Sequence, residues 1–136
     1  KDDLEAIMDI IDTAVADVLI IDSLGLACGG DINSAESALS FYAALRKLKL
    51  TSIILAHTAK NSEKKTVFGS IFFENLARNI WEVTKVAEAD ATNIKVMLSN
   101  TKSPPFAKLH KSLGYSVEFD ESDNSTRIET CDIKSV

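Results

Sequence analysis

The chain has 136 residues, 46% hydrophobic and 26% charged, which is the composition of an ordinary soluble globular protein. No apolar run reaches the roughly 18 residues of a membrane-spanning helix, and the acidic start Lys1–Glu5 is unlike a signal peptide. A net charge of -5 excludes a general polycation, and two distant cysteines argue against a disulfide framework or a zinc site. We therefore expect a single domain over residues 1–136 in the cytoplasm, with no membrane partner.

The sequence predicts a helix and then a strand near its start. One apolar face recurs at helical spacing, through Leu4, Ile7, Met8, Ile11 and Val15. The following run, Val18–Ile21, is apolar throughout and ends at Asp22. Such a run is typical of a strand covered on both faces of a parallel sheet.

A second helix and a second strand follow a glycine-rich loop over residues 23–33. Asn33 and Glu36 have the spacing of a capping box, which predicts that the helix starts there. Its expected buried stripe is Ala38, Phe41, Tyr42, Leu45 and Leu48. The segment Ser52–His57 is typical of another buried strand. The two strands and the helix between them are therefore expected to form one parallel βαβ unit.

The rest of the chain changes its pattern. Residues 58–69 are polar and basic, which predicts a loop, and Ser70 is placed to cap a short helix that runs to Arg78. Alternating segments then predict four strands in hairpins that extend the sheet: Ile80–Val86, Asn93–Ser99, Tyr115–Phe119 and Thr126–Cys131.

Two polar side chains end the predicted parallel strands. Asp22 closes the first strand and His57 the second, and ligands of parallel sheets bind beyond these strand ends. A carboxylate there suits Mg²⁺ held through water, and an imidazole suits a phosphate oxygen. The plainer alternatives are a turn-forming Asp, which is more common, and a structural His.

The loop after His57 is basic. Its lysines, Lys60, Lys64 and Lys65, are suited to contact a nucleic-acid backbone, although their charge alone favours a solvated loop. Phe68, Phe72, Phe73 and Trp81 are either stacking surfaces or core. The sequence contains no GxxxxGK[ST] phosphate loop, no GxGxxG and no GxSxG motif.

Several segments together resemble RecA-like ATPases, in particular hexameric replicative helicases of the RepA and DnaB kind and their phage or archaeal relatives. Val18–Ser23 resembles the Walker B strand, and Ile53–His57 resembles the next core strand with its sensor residue. Phe68–Arg78 and Ile80–Val83 resemble the stretch after the DNA-facing loop, so the likeness covers about residues 1–119.

The resemblance implies an α/β fold with a mainly parallel sheet flanked by helices, truncated at its front, with antiparallel hairpin strands at its C-terminal end. It implies ATP and Mg²⁺ as cofactors of the complete protein, single-stranded DNA as partner and a hexameric homo-oligomer. Asp22 with Ser23 would hold Mg²⁺ and nucleotide, and His57 would sense the γ-phosphate. Lys60, Lys64 and Lys65 would contact DNA in the central channel. Lys102 would act as a finger in the neighbouring subunit's site, although a lysine lacks the fork of the arginine found in relatives.

The family's phosphate loop and catalytic glutamate are not in this sequence. We therefore expect a C-terminal fragment of a longer helicase or DNA-repair ATPase that does not turn over ATP alone. One alternative is a non-enzymatic assembly or single-strand-binding module. Another is a KaiC-like signalling relative without a DNA partner.

Overall fold

The computed structural model describes residues 3–59, 66–86 and 92–133. Its helices are α1 (Asp3–Ala14), α2 (Leu24–Ala27), α3 (Ala35–Leu48) and α4 (Ile71–Leu76). Its strands are β1 (Val18–Asp22), β2 (Thr51–Leu55), β3 (Ile80–Lys85), β4 (Asn93–Lys102), β5 (Leu113–Asp120) and β6 (Ser125–Thr130). The chain divides into two compact units, Lys1–Leu76 and Ala77–Val136, while a single domain stays a prediction.

The first unit contains the predicted pair of parallel strands. β1 and β2 run parallel with Val18 opposite Thr51 and Asp22 opposite Leu55, and α3 lies between them in the chain. The apolar runs and the helical stripe of α3 were sufficient to predict this arrangement, which is confirmed. It brings the carboxyl ends of both strands to one edge of the sheet.

The predicted RecA-like fold, a mainly parallel sheet flanked by helices, is wrong. Within the described residues, β1 and β2 form a two-stranded sheet, and β3–β6 form a separate antiparallel sheet in chain order. A further parallel strand needs a crossover of about a dozen residues or more, usually a helix. The chain instead continues from the six-residue α4 into strands that each pair with the next strand along the sequence.

The core of the first unit lies on one side of its sheet. The buried residues come from α2, α3, α4 and the residue after α2: Leu24, Cys28, Ala38, Phe41 and Phe73. Phe41 and Phe73 meet edge to face with ring centroids 6.0 Å apart, and the Tyr42 hydroxyl donates to the Phe73 carbonyl at 2.8 Å. Ile21 and Ile54 pack on this cluster and so define the covered face of the sheet.

Among the described residues, the opposite face of the two-stranded sheet is largely exposed. The side chains of Val18, Ile20, Ile53 and Leu55 are 48%, 65%, 51% and 47% exposed. The prediction that both faces of these strands are buried is therefore wrong, because the core helices cover only the face that carries Ile21 and Ile54. An apolar sheet face of this kind is normally covered by another layer.

The loop between β1 and α3 differs from its prediction in two details. It contains the short helix α2, in which the Cys28 amide donates to the Leu24 carbonyl at 3.0 Å. The cap of α3 is Ser34, whose hydroxyl accepts from the Glu36 amide at 3.1 Å. Asn33 does not cap the helix, because its amide and side chain both donate to the Asp31 carboxylate.

None of the helices in the described ranges has the length and apolar character needed to cross a membrane.

Candidate functional site

The candidate site lies at the carboxyl edge of β1 and β2. Asp22 is the last residue of β1 and stands opposite Leu55, the last residue of β2, and His57 follows Leu55 by two residues. Because the strands are parallel, the backbone positions of Asp22 and His57 share this edge. Both residues are exposed, so they are accessible to a ligand.

A cavity of about 400 Å³ opens beside this edge, a size that suits a small ligand. Its walls come from the loop after β1, the segment before α3 and the start of the loop after β2: Leu24, Gly25, Gly30, Asp31, Ile32, Ala56, His57 and Phe68. His57 and Asp31 are the titratable members of this mostly apolar lining. The cavity thus places His57, but not Asp22, directly on its wall.

Asp31, Ile32 and Phe68 were not predicted as parts of the site. The available signal was indirect, since loops after parallel strands line ligand sites and residues 23–33 were predicted to form such a loop. Asp31 is already bonded to its own loop, because its Oδ1 accepts from the Asn33 amide at 2.9 Å and from the Asn33 side chain at 3.2 Å.

A close backbone contact holds two cavity walls together. Gly69 has a φ of +115°, and a Cβ atom built on it would lie 2.7 Å from the Ile32 carbonyl oxygen. Next to it, the Ser70 amide donates to the same Ile32 oxygen at 2.8 Å. This contact requires a glycine at position 69, and it places Phe68 beside Ile32 at the cavity.

The loop after β2 is closed at its base, directly at His57. The Phe68 amide donates to the His57 carbonyl at 2.8 Å, and the Ala59 amide donates to the Thr66 carbonyl at 3.1 Å. Thr58 and Val67 form a bridge between these bonds. Lys60, Lys64 and Lys65, the predicted DNA contacts, lie outside the described residues.

Lys102 belongs to the second unit, where it ends β4 and pairs with Ile80 on β3. Its predicted role concerns a neighbouring subunit, so the finger stays a prediction. The same holds for the single-stranded DNA partner, the hexameric ring and the cytoplasmic location.

The second unit has an open polar depression of about 510 Å³ around the β5–β6 turn. Its carboxylate Asp120 is bonded within the turn, since Oδ1 accepts from the Ser122 hydroxyl at 2.5 Å and from the Ser122 amide at 2.9 Å. These two hydrogen bonds hold the pKa of Asp120 below its usual value, and the bond from the Ser122 hydroxyl has the larger effect. We interpret the depression as the surface of a self-bonded turn and not as a ligand site.

The residues at the strand edge have the chemistry to hold a hydrated divalent cation. A lone exposed carboxylate with the neighbouring Ser23 hydroxyl suits a Mg²⁺ ion that keeps most of its water. In the described ranges, no three His, Cys, Asp or Glu side chains group closely enough to hold a metal directly. The described residues that line the cavity include no Lys or Arg.

No protein-family model matches this sequence, and no curated protein is significantly similar to it. The function must therefore be inferred from the geometry of the site itself.

Proposed function

We propose that this chain supplies the Mg²⁺-binding and γ-phosphate-sensing side of the ATP site in a nucleic-acid-dependent ATPase of the helicase or DNA-repair type. The observation that carries the proposal is the placement of Asp22 and His57 at one edge of adjacent parallel strands. The proposal does not need the larger parallel sheet that the sequence had predicted, because two neighbouring strands are enough to create this edge.

Each residue has a defined part in this proposal. Asp22 and Ser23 hold Mg²⁺ through its water shell, and the ion, when bound, neutralises charge on the phosphate oxygens. The His57 imidazole donates a hydrogen bond to a phosphate oxygen. Since the His57 carbonyl accepts from the Phe68 amide, a shift of His57 acts directly on the base of the loop that carries Lys60, Lys64 and Lys65.

The exposed apolar face of the sheet supports the proposal that further residues complete the site. Ile20 and Ile53 are more than half exposed on strands whose sequence is apolar on both faces, so this face is suited to being covered. Among the described lining residues, the cavity also has no Lys or Arg to bind a triphosphate. We propose that the residues that hold the triphosphate tightly lie outside this sequence, so the 136-residue chain should bind MgATP weakly and should not turn it over.

Binding of a fluorescent ATP analogue to the isolated chain, with and without Mg²⁺, tests the proposal. Asp22→Asn and His57→Ala should each weaken Mg²⁺-dependent binding about tenfold or more, the usual loss for a hydrogen bond to a charged group. Asp17→Asn is the matched control, because this exposed carboxylate precedes the opposite end of β1. His110→Ala is the control for the imidazole, since it is an exposed histidine that is not among the residues lining this cavity.

Unchanged binding in both site variants, or equal losses in the controls, would contradict the proposal. Hydrolysis of ATP by the isolated chain would contradict the expectation that it is inactive alone. Oligonucleotide binding without any nucleotide binding would favour the single-strand-binding module, whereas ring assembly with no oligonucleotide binding would favour the KaiC-like alternative.

A further inference from the structure

The second unit has an exposed apolar surface on the loop between β4 and β5. We call this loop, residues 103–112, the Phe106 loop. Phe106 is 102% exposed at its tip, and Leu109 is 60% exposed. Nearby, the ring of Trp81 stacks on His110 with centroids 5.6 Å apart and planes 27° apart. The loop therefore presents aromatic and apolar groups that contribute nothing to the protein core.

The Phe106 loop is held in a fixed shape by one buried side chain. Asn100 is 7% exposed, and its Nδ2 donates to the carbonyls of Ile80 at 3.0 Å and Lys102 at 2.8 Å. Its Oδ1 accepts from the Ser103 hydroxyl at 2.6 Å and from the His110 amide at 3.1 Å. All four hydrogen-bonding positions of the amide are thus used, and both ends of the loop are tied to one residue.

The tip of the loop is also constrained. The Ala107 amide donates to the Pro104 carbonyl at 2.9 Å, which closes a turn with Pro105 and Phe106 at its centre. Proline restricts the backbone before the aromatic ring, so little conformational entropy is lost when the ring engages a partner. The exposure of Phe106 is therefore a feature of an ordered loop.

The stretch of sequence that contains this loop carries charge of one sign. From Ala91 to Val117 the sequence has no Asp or Glu, although the whole chain has a net charge of -5. Its four cationic residues are Lys95, Lys102, Lys108 and Lys111. Lys108 and Lys111, which flank Leu109 and His110 on the loop, are both exposed. The partner that this charge favours is an anion.

We propose that the Phe106 loop binds single-stranded nucleic acid, with a base stacked on Phe106 and neighbouring phosphates neutralised by Lys108 and Lys111. An exposed ring followed by exposed lysines is a combination that single strands recognise, because every unpaired base offers a face for stacking. In a duplex those faces are covered by neighbouring bases. This surface uses different residues from the loop after His57, and it does not depend on the ATPase proposal.

Titration of the full chain with oligo-dT at several salt concentrations tests this inference, with Trp81 emission and fluorescence anisotropy as the readouts. Trp81 is the only tryptophan, and its contact with His110 makes its emission sensitive to a ligand on the loop. Phe106→Ala should weaken binding roughly 5- to 150-fold, the range measured for loss of one stacked base. Changing Lys108 and Lys111 together to Ala should reduce the salt slope of log affinity by about 1.4.

Matched controls come from the first unit. Leu26→Ala removes another exposed apolar side chain, 87% exposed, and Lys47→Ala removes an exposed lysine of α3. Both should bind oligo-dT like the wild type. Because Phe106 is fully exposed, its variant should fold normally, which circular dichroism checks.

Wild-type affinity in Phe106→Ala would overturn the inference. Affinity lost only when Lys60, Lys64 and Lys65 are changed would also overturn it, while supporting the loop after His57 as the nucleic-acid contact. Binding to anionic vesicles with no binding to oligo-dT would overturn it in favour of a membrane surface. Loss of ATP binding in Asp22→Asn with unchanged oligo-dT binding would leave it standing, since the two proposals use different residues.

Discussion

Substitution of Gly69 by alanine is the sharpest structural test of the candidate cavity. The φ of +115° at Gly69 lies in a region that side chains rarely adopt. The new Cβ atom would also lie 2.7 Å from the Ile32 carbonyl oxygen and 2.7 Å from the Ile32 Cγ1 atom. Since the oxygen belongs to the backbone, the two cavity walls must move apart to accommodate it.

The structure allows the size of the effect to be worked out. The strained backbone costs about 1–3 kcal/mol, and disturbing the bond between the Ser70 amide and the Ile32 carbonyl costs about 1 kcal/mol. The unfolded alanine variant has a lower conformational entropy than the unfolded glycine chain, which offsets about 0.4–1 kcal/mol of this loss. We therefore expect Gly69→Ala to lower the free energy of unfolding by about 1–3.6 kcal/mol, with a middle value near 2 kcal/mol.

Gly29→Ala is the matched control, because Gly29 also has a positive φ, +70°, but its Cβ would meet nothing within 4 Å. Its expected loss is about 1 kcal/mol. Urea unfolding followed by far-ultraviolet circular dichroism measures the loss of stability in both variants. A loss appears as a lower midpoint of unfolding while the m-value stays constant. Equal losses in the two variants would refute the close contact between Gly69 and Ile32.

Three further predictions concern the first unit. Ser34→Ala should lower the free energy of unfolding by about 1 kcal/mol, because Ser34 caps α3. Asn33→Ala should lower it by much less, and urea unfolding compares the two variants. Phe73→Ala should cost about 3–5 kcal/mol in the same assay, since Phe73 is 2% exposed, whereas Phe106→Ala should cost almost nothing. Burial raises the pKa of Tyr42, so the folded state keeps this proton above pH 10 while the unfolded state loses it. Stability should therefore fall as the pH rises through that range, and Tyr42→Phe should lack this part of the fall in unfolding measured at increasing pH.

Local patterns were sufficient for the βαβ unit. The uninterrupted apolar run Val18–Ile21 and the helical stripe of Ala38 and Phe41 predict β1 and α3 directly. The pairing of strands follows from them, because a helix between two apolar strands favours a parallel crossover. The placement of Asp22 and His57 at one edge was predicted on the same basis, and their chemical roles are still proposals.

The extent of the sheet could not be predicted in this way. An apolar strand such as Val18–Asp22 signals that both faces are suited to burial, but it does not say which elements cover them. Whether β3 joins β2 or pairs only with β4 depends on long-range contacts, which the alternation of Ile80–Lys85 does not encode. The resemblance to RecA-like ATPases suggested one larger sheet, and the described residues form two.

The cavity walls were missed for a related reason. Asp31 and Phe68 lie in loops whose positions depend on the approach of Gly69 to Ile32, across 37 positions of the chain. A glycine in the sequence indicates backbone freedom but not the neighbour that requires it. Similarly, Asn100 shows no local pattern that would mark it as the anchor of the Phe106 loop.

The most direct measurement of the central claim is the amide spectrum of the isotope-labelled chain during titration with MgATP. We expect saturable shifts at Asp22 and His57 together, dependent on Mg²⁺, with Asp17 at the far end of β1 unaffected. Shifts that spare both strand ends, or that are as large at Asp17, would contradict a shared phosphate and metal site at this edge.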